Sequence, residues 1–586
     1  MRLGALYTTK KTIFKVWAPD ADKVCLKDYT NNKIYEMKKQ VNGVHYIKIE
    51  GNLAGVEYTY LAHFGDTVNE AVDPYAKAVT VNGERGVVIN LKKTNPIHFK
   101  RMPSFTDPTD AVIYELHVRD FSIDKSSKIK NKGTFMGLIE KHGINYLKSL
   151  GITHLQLLPI FDYSKESVDE TDIFEKYNWG YDPVNYNAVE GSYSRNPYIP
   201  ENRIMELKKM IKKLHENDIR VIMDVVYNHV YDVKSHSFDK LNPNYAFRMN
   251  EDGKTYSNGT GCGNDVASEK KWIRKYIVDS VVYWAKEYKL DGFRFDLMGI
   301  LDVTTMNEIR KELDKIDKGI IILGEGWDLN TTLPDDKKAK QSNAIQMERI
   351  AFFSDNFRDS IKGSTFETVG KGFISGSRKK NDDVIKSIKG GNGLYSYTGP
   401  EQVVQYVEAH DNYTMFDHLT KLNIKFIKRR HLIATSLVLT SQGVPFLHAG
   451  QEFFRTKQGV ENSYKSSDEI NKFDWNLAKQ NKKYIKYVSD LISLRKSEKL
   501  FRMKTYDEIE KKLTVLEHKN NVLVYSLGSH KKYIIIANAS TSKIKVNFNG
   551  EYNVIFNNFK QIEDDVRVRK SIDVTSLNFI ILRKIK

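Results

Sequence analysis

Along the first hundred residues, apolar and polar side chains alternate with period two. The stretches FKVWAPDADKVCLKDY, GVHYIKIE and VEYTYLAHF are separated by turn signals at Val41-Asn42-Gly43 and Gly51-Asn52. This pattern predicts a small β-sandwich that the chain leaves through Asp73-Pro74 and Asn95-Pro96. From about residue 110 the period changes. Apolar runs at 111–118, 153–159, 220–226, 291–296, 320–325, 349–354, 403–409 and 443–448 read as strands. Helical stripes lie between them, with Ile204, Leu207, Met210, Ile211 and Leu214 on one face of 202–217, then Trp272, Tyr276, Ile277, Val281 and Trp284 on the next. Strands alternating with amphipathic helices mark βα units, and eight of them are what a closed barrel needs. After about 480 the short strands LTVLEH, VLVYSLG, KYIIIANA, KIKVNF, YNVIF and LNFIILR return. The expected fold class is α/β, with a (β/α)8 TIM barrel over 106–485 flanked by β-sandwich domains at 1–105 and 486–586. No internal repeat links the two flanking domains.

A chain of 586 residues has room for two to four domains, and 28% charged with 40% hydrophobic residues is the balance of a soluble globular protein. The net charge of +17 raises a nucleic-acid reading. Its lysines are scattered through every segment beside Asn, Ile and Tyr, so a lysine-rich surface is the preferred meaning. Cys25 and Cys262 are too far apart in sequence for a disulfide framework or a metal motif. The N-terminal residues hold no apolar run of signal-peptide length, and no stretch of about 18 apolar residues exists to span a bilayer. The expectation is a cytoplasmic protein with neither nucleic acid nor membrane as a partner.

Candidate chemistry gathers at strand ends. In DGFRFDLMGI, residues 291–300, Phe293 and Phe295 fall on one face of a strand and Arg294 and Asp296 on the other. An arginine beside an aspartate at a barrel mouth holds the carboxylate ionised, as a covalent nucleophile for glycosyl transfer requires. A buried pair bracing a core explains the same ten residues equally well. Other strands end alike: DVVYNHV supplies Asp224, Asn228 and His229, GEGW supplies Glu325 and Trp327, and VEAHDN supplies Glu408, His410, Asp411 and Asn412. Acids and histidines at four strand ends on one rim are more than stability needs. There is no HExxH zinc spacing and no GxSxG elbow.

These four segments, in this order, resemble the signature regions of glycoside hydrolase family 13, the α-amylase family, over residues of about 110 to 480. FKVWAPDADKV resembles the start of a family-48 carbohydrate-binding module. There Trp17 is either a sugar-stacking residue or, more in keeping with its setting, a core tryptophan. The resemblance implies Asp296 as nucleophile, Glu325 as general acid/base and Asp411 as the carboxylate that distorts the sugar and steadies the transition state. The two main carboxyls would stand about 5–5.5 Å apart, as in retaining glycosidases. Glu325 must carry a proton to the leaving oxygen, so surroundings that favour that proton are expected. His229 and His410 would donate to sugar hydroxyls, and Asp224 would orient Arg294 from behind. No cofactor is implied. A calcium ion near Asn228 is known in some amylases, but no loop of acidic ligands argues for one here.

The long loop after the second strand holds YNWGYDP, residues 177–183, which closely resembles the marker of type I pullulanases. Tyr181 would offer a flat face for the sugar at the cleavage point, with Tyr177, Trp179 and Trp327 extending it. Asp182 and Asn412 complete the expected substrate contacts. The resemblance implies hydrolysis of α-1,6 branch bonds in an α-glucan. An isoamylase-like debranching enzyme is the nearest alternative. A branching transferase would lack the loop, and a non-catalytic scaffold would have lost the acids.

Overall fold

The eight apolar runs form the strands of a closed parallel barrel in a computed structural model of the chain, which describes residues 2–365, 368–377, 379 and 381–585. They are β1 (Ile113–Leu116), β2 (His154–Leu157), β3 (Arg220–Val225), β4 (Gly292–Phe295), β5 (Ile321–Gly324), β6 (Ala351–Phe353), β7 (Val403–Gln405) and β8 (Val444–His448). The strands are buried on both faces, which is why the sequence shows them as short continuous apolar runs. Parallel ladders join β3 to β4, β4 to β5, β6 to β7, β7 to β8 and β8 to β1.

The predicted helical stripes are buried, except for Trp272, which is half-buried. Helix Pro200–His215, with proline in its first turn, buries Ile204, Leu207, Met210, Ile211 and Leu214. The same helix also buries Arg203, Glu206 and Lys208, which periodicity alone assigns to its polar side. Helix Lys271–Glu287 buries Tyr276, Ile277, Val281 and Trp284.

The chain divides into two compact units. The first comprises Met1–Ser104, Lys130–Glu140 and Leu157–Asn343, and the second Phe105–Ile129, Lys141–Gln156 and Ala344–Lys586. In the first unit two antiparallel sheets enclose Phe14, Val16, Val24, Leu26, Tyr58, Tyr60 and Ala62. Trp17 stacks on Trp272 at 4.7 Å and meets Tyr245 edge-on at 4.9 Å, so at least one of its faces is spent on packing. In the second unit, residues 513–584 form one seven-stranded antiparallel sheet. The long strand Ile544–Asn557 bends it around a core that includes Val524, Ile536, Val546, Phe548 and Ile580. Cys25 is buried and Cys262 exposed, both as free thiols. Among the described residues no helix is long and apolar enough to cross a membrane.

Strands Phe161–Tyr163 and Pro183–Val189 pair antiparallel outside the barrel, so the long loop after β2 is a hairpin with residues 164–182 as its excursion. YNWGYDP occupies the return of that excursion into the second hairpin strand.

Candidate active site

The site in the first unit is built around one guanidinium. Arg294 lies opposite Asp224 in the β3–β4 register. Its side chain is 2% exposed, and Nη1 donates to Asp224 Oδ1 at 3.0 Å and to Asp296 Oδ1 at 2.8 Å. Nη2 lies 2.7 Å from Glu325 Oε1. Burial alone would weaken the proton on Arg294. Asp224, Glu325, Tyr181 and Asp296 outweigh it and raise the guanidinium well above its ordinary range. Asp296 and Glu325 keep side-chain exposures of only 12% and 14%, so each is reachable yet largely shielded.

Asn228 completes the setting of Asp296. Its amide donates to the backbone carbonyl of Asp296 at 2.7 Å and to Oδ2 at 2.9 Å, so each carboxylate oxygen has its own donor. His229 is held at both ring nitrogens, by Asn228 Oδ1 at 2.5 Å and by the carbonyl of Tyr181 at 2.9 Å. Burial lowers its pKa, against the pull of Asp296. A sugar hydroxyl contact from His229 has to displace one of these two partners.

The two oxygens of Glu325 face Arg294 and the backbone N–H of Leu297, the latter at 3.1 Å. Leu297 is in the left-handed region at φ 38°, a strained place for a branched apolar residue, and the strain aims its N–H at Glu325. No glycine marks the spot, so no sequence pattern announces it. Gly299 is legible in hindsight: a Cβ there would lie 1.9 Å from the carbonyl oxygen of Trp327, so only glycine lets these two turns touch.

The aromatic loop is also more specific than its composition suggested. Tyr181 is half-buried, its hydroxyl donates to Asp224 Oδ2 at 2.7 Å, and its ring lies 5.9 Å from the Arg294 guanidinium. Trp179 meets the Tyr181 ring edge-on at 6.4 Å and is 5% exposed, as is Tyr177. At 5% exposure neither ring extends an open platform. Asp182 is tied by the hydroxyl of Ser167 at 2.5 Å, and Trp327 is half-buried.

His410, Asp411 and Asn412 belong to the second unit. The backbone N–H and Nδ1 of His410 both contact Glu115, at 2.6 and 2.8 Å, and Lys457 Nζ donates to its carbonyl at 2.7 Å. Asp411 is exposed, and its Oδ1 accepts from the N–H of Asn412, which sits at φ 60°. Glu408 anchors the same segment through His448 at 2.7 Å and the N–H of Met415 at 2.8 Å. Glu115 and Lys457, missed by sequence reasoning, lie 295 and 47 residues from His410.

The Asn228 amide, near which calcium was left open, is committed to Asp296 and His229. Among the described residues, Asp162, Glu170 and Glu190 bring carboxylate oxygens within 4.8 Å of one another, a spacing that suits a metal ion. The guanidinium of Arg203 stands against that cluster, 2.8 Å from Glu170 and 3.8 Å from Asp162.

Comparison with known proteins agrees with this architecture. Residues 104–257 match the family model of the alpha amylase catalytic domain, and residues 2–76 match carbohydrate-binding module 48, the isoamylase N-terminal domain. The chain is 42% identical to the pullulanase of Bacillus subtilis (strain 168) over 99% of its own length and 84% of that protein. It is 32% identical to pullulanase A of Streptococcus pneumoniae serotype 2 over 86% of its length, while spanning 47% of that longer protein. The crystal structure of pullulanase type I from Bacillus subtilis str. 168 complexed with maltose superposes with a TM-score of 0.96 at 41% identity, covering 100% of this chain and 86% of that one. With matches of this extent in sequence and in structure, the chain belongs to the pullulanases of the α-amylase family.

Proposed function

We infer that the protein hydrolyses α-1,6-glucosidic branch bonds of α-glucans by a retaining double displacement, with Asp296 as nucleophile and Glu325 as general acid/base. The observation that carries the assignment is that a single buried guanidinium contacts both carboxylates, which supports the short separation that retention requires. A maltose complex of the Bacillus subtilis relative supports an α-glucan as the substrate class.

The geometry supports the following course. Asp296 has one donor per oxygen, from Arg294 and Asn228, so it is oriented while each oxygen keeps a lone pair for the anomeric carbon. As the C1–O6 bond breaks, Glu325 passes its proton to O6, and the glycosyl unit becomes an ester of Asp296. A water then gives its proton to Glu325 and attacks C1, freeing Asp296. For the first of these steps Glu325 has to exchange Arg294 for the glycosidic oxygen. Arg294 then remains with Asp224 and Asp296. The family resemblance assigns Asp411 the role of third carboxylate; within its own unit the neighbouring His410 is held by Glu115 and Lys457. Tyr181 provides the sugar-facing ring, fixed by Asp224.

No metal or organic cofactor enters this scheme. The test is product analysis on pullulan and amylose side by side under identical conditions. Maltotriose from pullulan with amylose almost untouched is expected, and rapid fragmentation of amylose overturns the linkage assignment.

A further inference from the structure

Arg203 is the one charged side chain of helix Pro200–His215 that sits fully among carboxylates, and its contacts converge on the hairpin that carries Tyr181. Nη1 and Nη2 donate to the two oxygens of Glu170 at 2.9 and 2.8 Å. The same two nitrogens reach the carbonyls of Val189 at 3.1 Å and Pro197 at 2.8 Å. Nη1 lies 3.8 Å from Asp162 Oδ1, an oxygen that is buried and accepts no hydrogen bond. Glu170 takes two further N–H groups, from Asn82 at 2.7 Å and Gly191 at 2.8 Å.

These partners have a common meaning in the fold. Asp162 lies in the first hairpin strand, Val189 ends the second, and Glu170 lies within the excursion 164–182 between them. One guanidinium therefore ties both ends of the hairpin to the middle of the loop that presents Trp179, Tyr181 and Asp182. Three carboxylates, each less than 5% exposed, surround a single cation. Removing Arg203 or Glu170 leaves the other as an unpaired buried charge, so the loop has no cheap alternative position. The consequences reach the site: Tyr181 donates to Asp224 and its carbonyl faces His229, and both contacts depend on where the loop lies.

We propose that Arg203 is a positioning residue for branch-point hydrolysis, the internal cation on which the loop 164–182 is mounted. This rests on the reading that the same loop shapes the wall around the cleavage point. Arg203 touches no substrate. It acts through Glu170 and the hairpin.

The test compares the full-length protein with Arg203→Met, which keeps length and loses charge, and Arg203→Lys, which restores charge without the bidentate fork. Two substrates are used: pullulan, whose leaving chain must pass the loop, and α-maltotriosyl fluoride, whose leaving group meets no wall. For Arg203→Met, kcat/KM on pullulan is expected to fall by about tenfold or more, and the pullulan-to-fluoride ratio by several-fold, with Arg203→Lys in between. Backbone hydrogen exchange should accelerate within 164–182 and stay unchanged in β3 and β4. An equal fall on both substrates, or faster exchange throughout the barrel, reduces Arg203 to a general stabiliser and overturns the proposal. No change in any readout does the same. If Arg203→Met does not fold, Glu170→Gln severs the same tie and must give the same ratio and exchange pattern. The exchange readout judges the mounting alone, whereas wild-type cleavage of amylose judges the linkage reading, so the two can fail separately.

Discussion

Arg294 and Glu325 stand 2.7 Å apart, in contact through the same guanidinium that holds Asp296 at 2.8 Å. One guanidinium thus fixes both carboxyl groups, and the N–H of Leu297, at φ 38°, holds the second oxygen of Glu325. Proton delivery from Glu325 to a glycosidic oxygen requires it to exchange Arg294 for that oxygen.

Asp296→Asn and Glu325→Gln should each lower kcat on pullulan by several orders of magnitude with little change in thermal stability. The two are told apart by leaving group. On α-maltotriosyl fluoride, which needs no protonation, Glu325→Gln should recover most of the first chemical step while Asp296→Asn stays inactive. Equal recovery of both variants reverses or cancels the assigned roles.

Arg294→Lys should cost more than a conservative change normally does. An ammonium is a point donor and cannot bridge Asp224, Asp296 and Glu325 along two separate edges, as the planar fork does. A fall in kcat of about a hundredfold or more is expected, measured beside the melting temperature. Near-normal kcat in a folded Arg294→Lys protein means that the bridging geometry is incidental.

How much of this was legible depended on whether the cause was local. Period-two alternation in DGFRFD put Phe293 and Phe295 on one face and Arg294 on the other. Both phenylalanines are fully buried, and the strand runs Gly292–Phe295. The helical stripe on 202–217 was equally readable, because burial of Ile204, Leu207, Ile211 and Leu214 follows from a repeat of 3.6. Contacts made across the chain were not. Glu115 and His410 are 295 positions apart, and no local pattern announces their pairing. Trp179 and Tyr177 looked like a sugar platform because loop aromatics usually face outward. Here both are buried instead, with Trp179 edge-on to Tyr181, a matter of tertiary packing that composition does not encode. Arg203 was hidden for the converse reason: a charge beside an apolar stripe reads as solvated until its carboxylates are brought to it.

The stability contributed by Asp162 and Glu190 should be lost as pH rises toward alkaline values. Burial, then the charge of Glu170, raises both groups above the ordinary carboxylate range. The folded state therefore binds protons that the unfolded chain has already released. The associated stability is complete below the unfolded pKa and is lost as pH climbs through the raised values, at a slope of up to about 1.4 kcal/mol per pH unit for each proton. Asp162→Asn removes one of these groups while keeping an amide in reach of Asn185. Melting temperatures from pH 5 to 9 should show a flatter alkaline decline for Asp162→Asn than for the wild type. Parallel curves would falsify the attribution.

Dialysis against a chelator should leave activity and melting temperature unchanged. The Asn228 amide is committed to protein partners, and the carboxylates of Asp162, Glu170 and Glu190 already have the Arg203 guanidinium beside them. Loss of activity that calcium restores would sink this expectation and point to a metal held in the loops.

The sharpest test of specificity lies in Tyr181, because its hydroxyl and its ring do different work. The hydroxyl donates to Asp224, which also receives Arg294, so it fixes the ring against the charged centre of the site. A hydrogen bond to a charged group is worth about 1.5–3 kcal/mol. Tyr181→Phe keeps the ring and loses that tie, so kcat/KM on pullulan should fall by about tenfold, since each 1.4 kcal/mol is a factor of ten. Tyr181→Ala removes the face on which the sugar rests and should cost clearly more. Trp179→Ala leaves Tyr181 in place but takes away the ring that supports it edge-on, and its effect should match Tyr181→Phe in size without exceeding Tyr181→Ala. The linkage argument adds a further demand. The acids do not distinguish α-1,6 from α-1,4 bonds, and an α-1,6 bond carries one more rotatable carbon, so the acceptor chain leaves at another angle. Only contacts that improve in the transition state can favour that angle. All three variants should therefore lose more on pullulan than they lose on an unbranched maltooligosaccharide cleaved as a slow side reaction. A uniform loss on both substrates would show that this loop binds glucan without choosing its linkage.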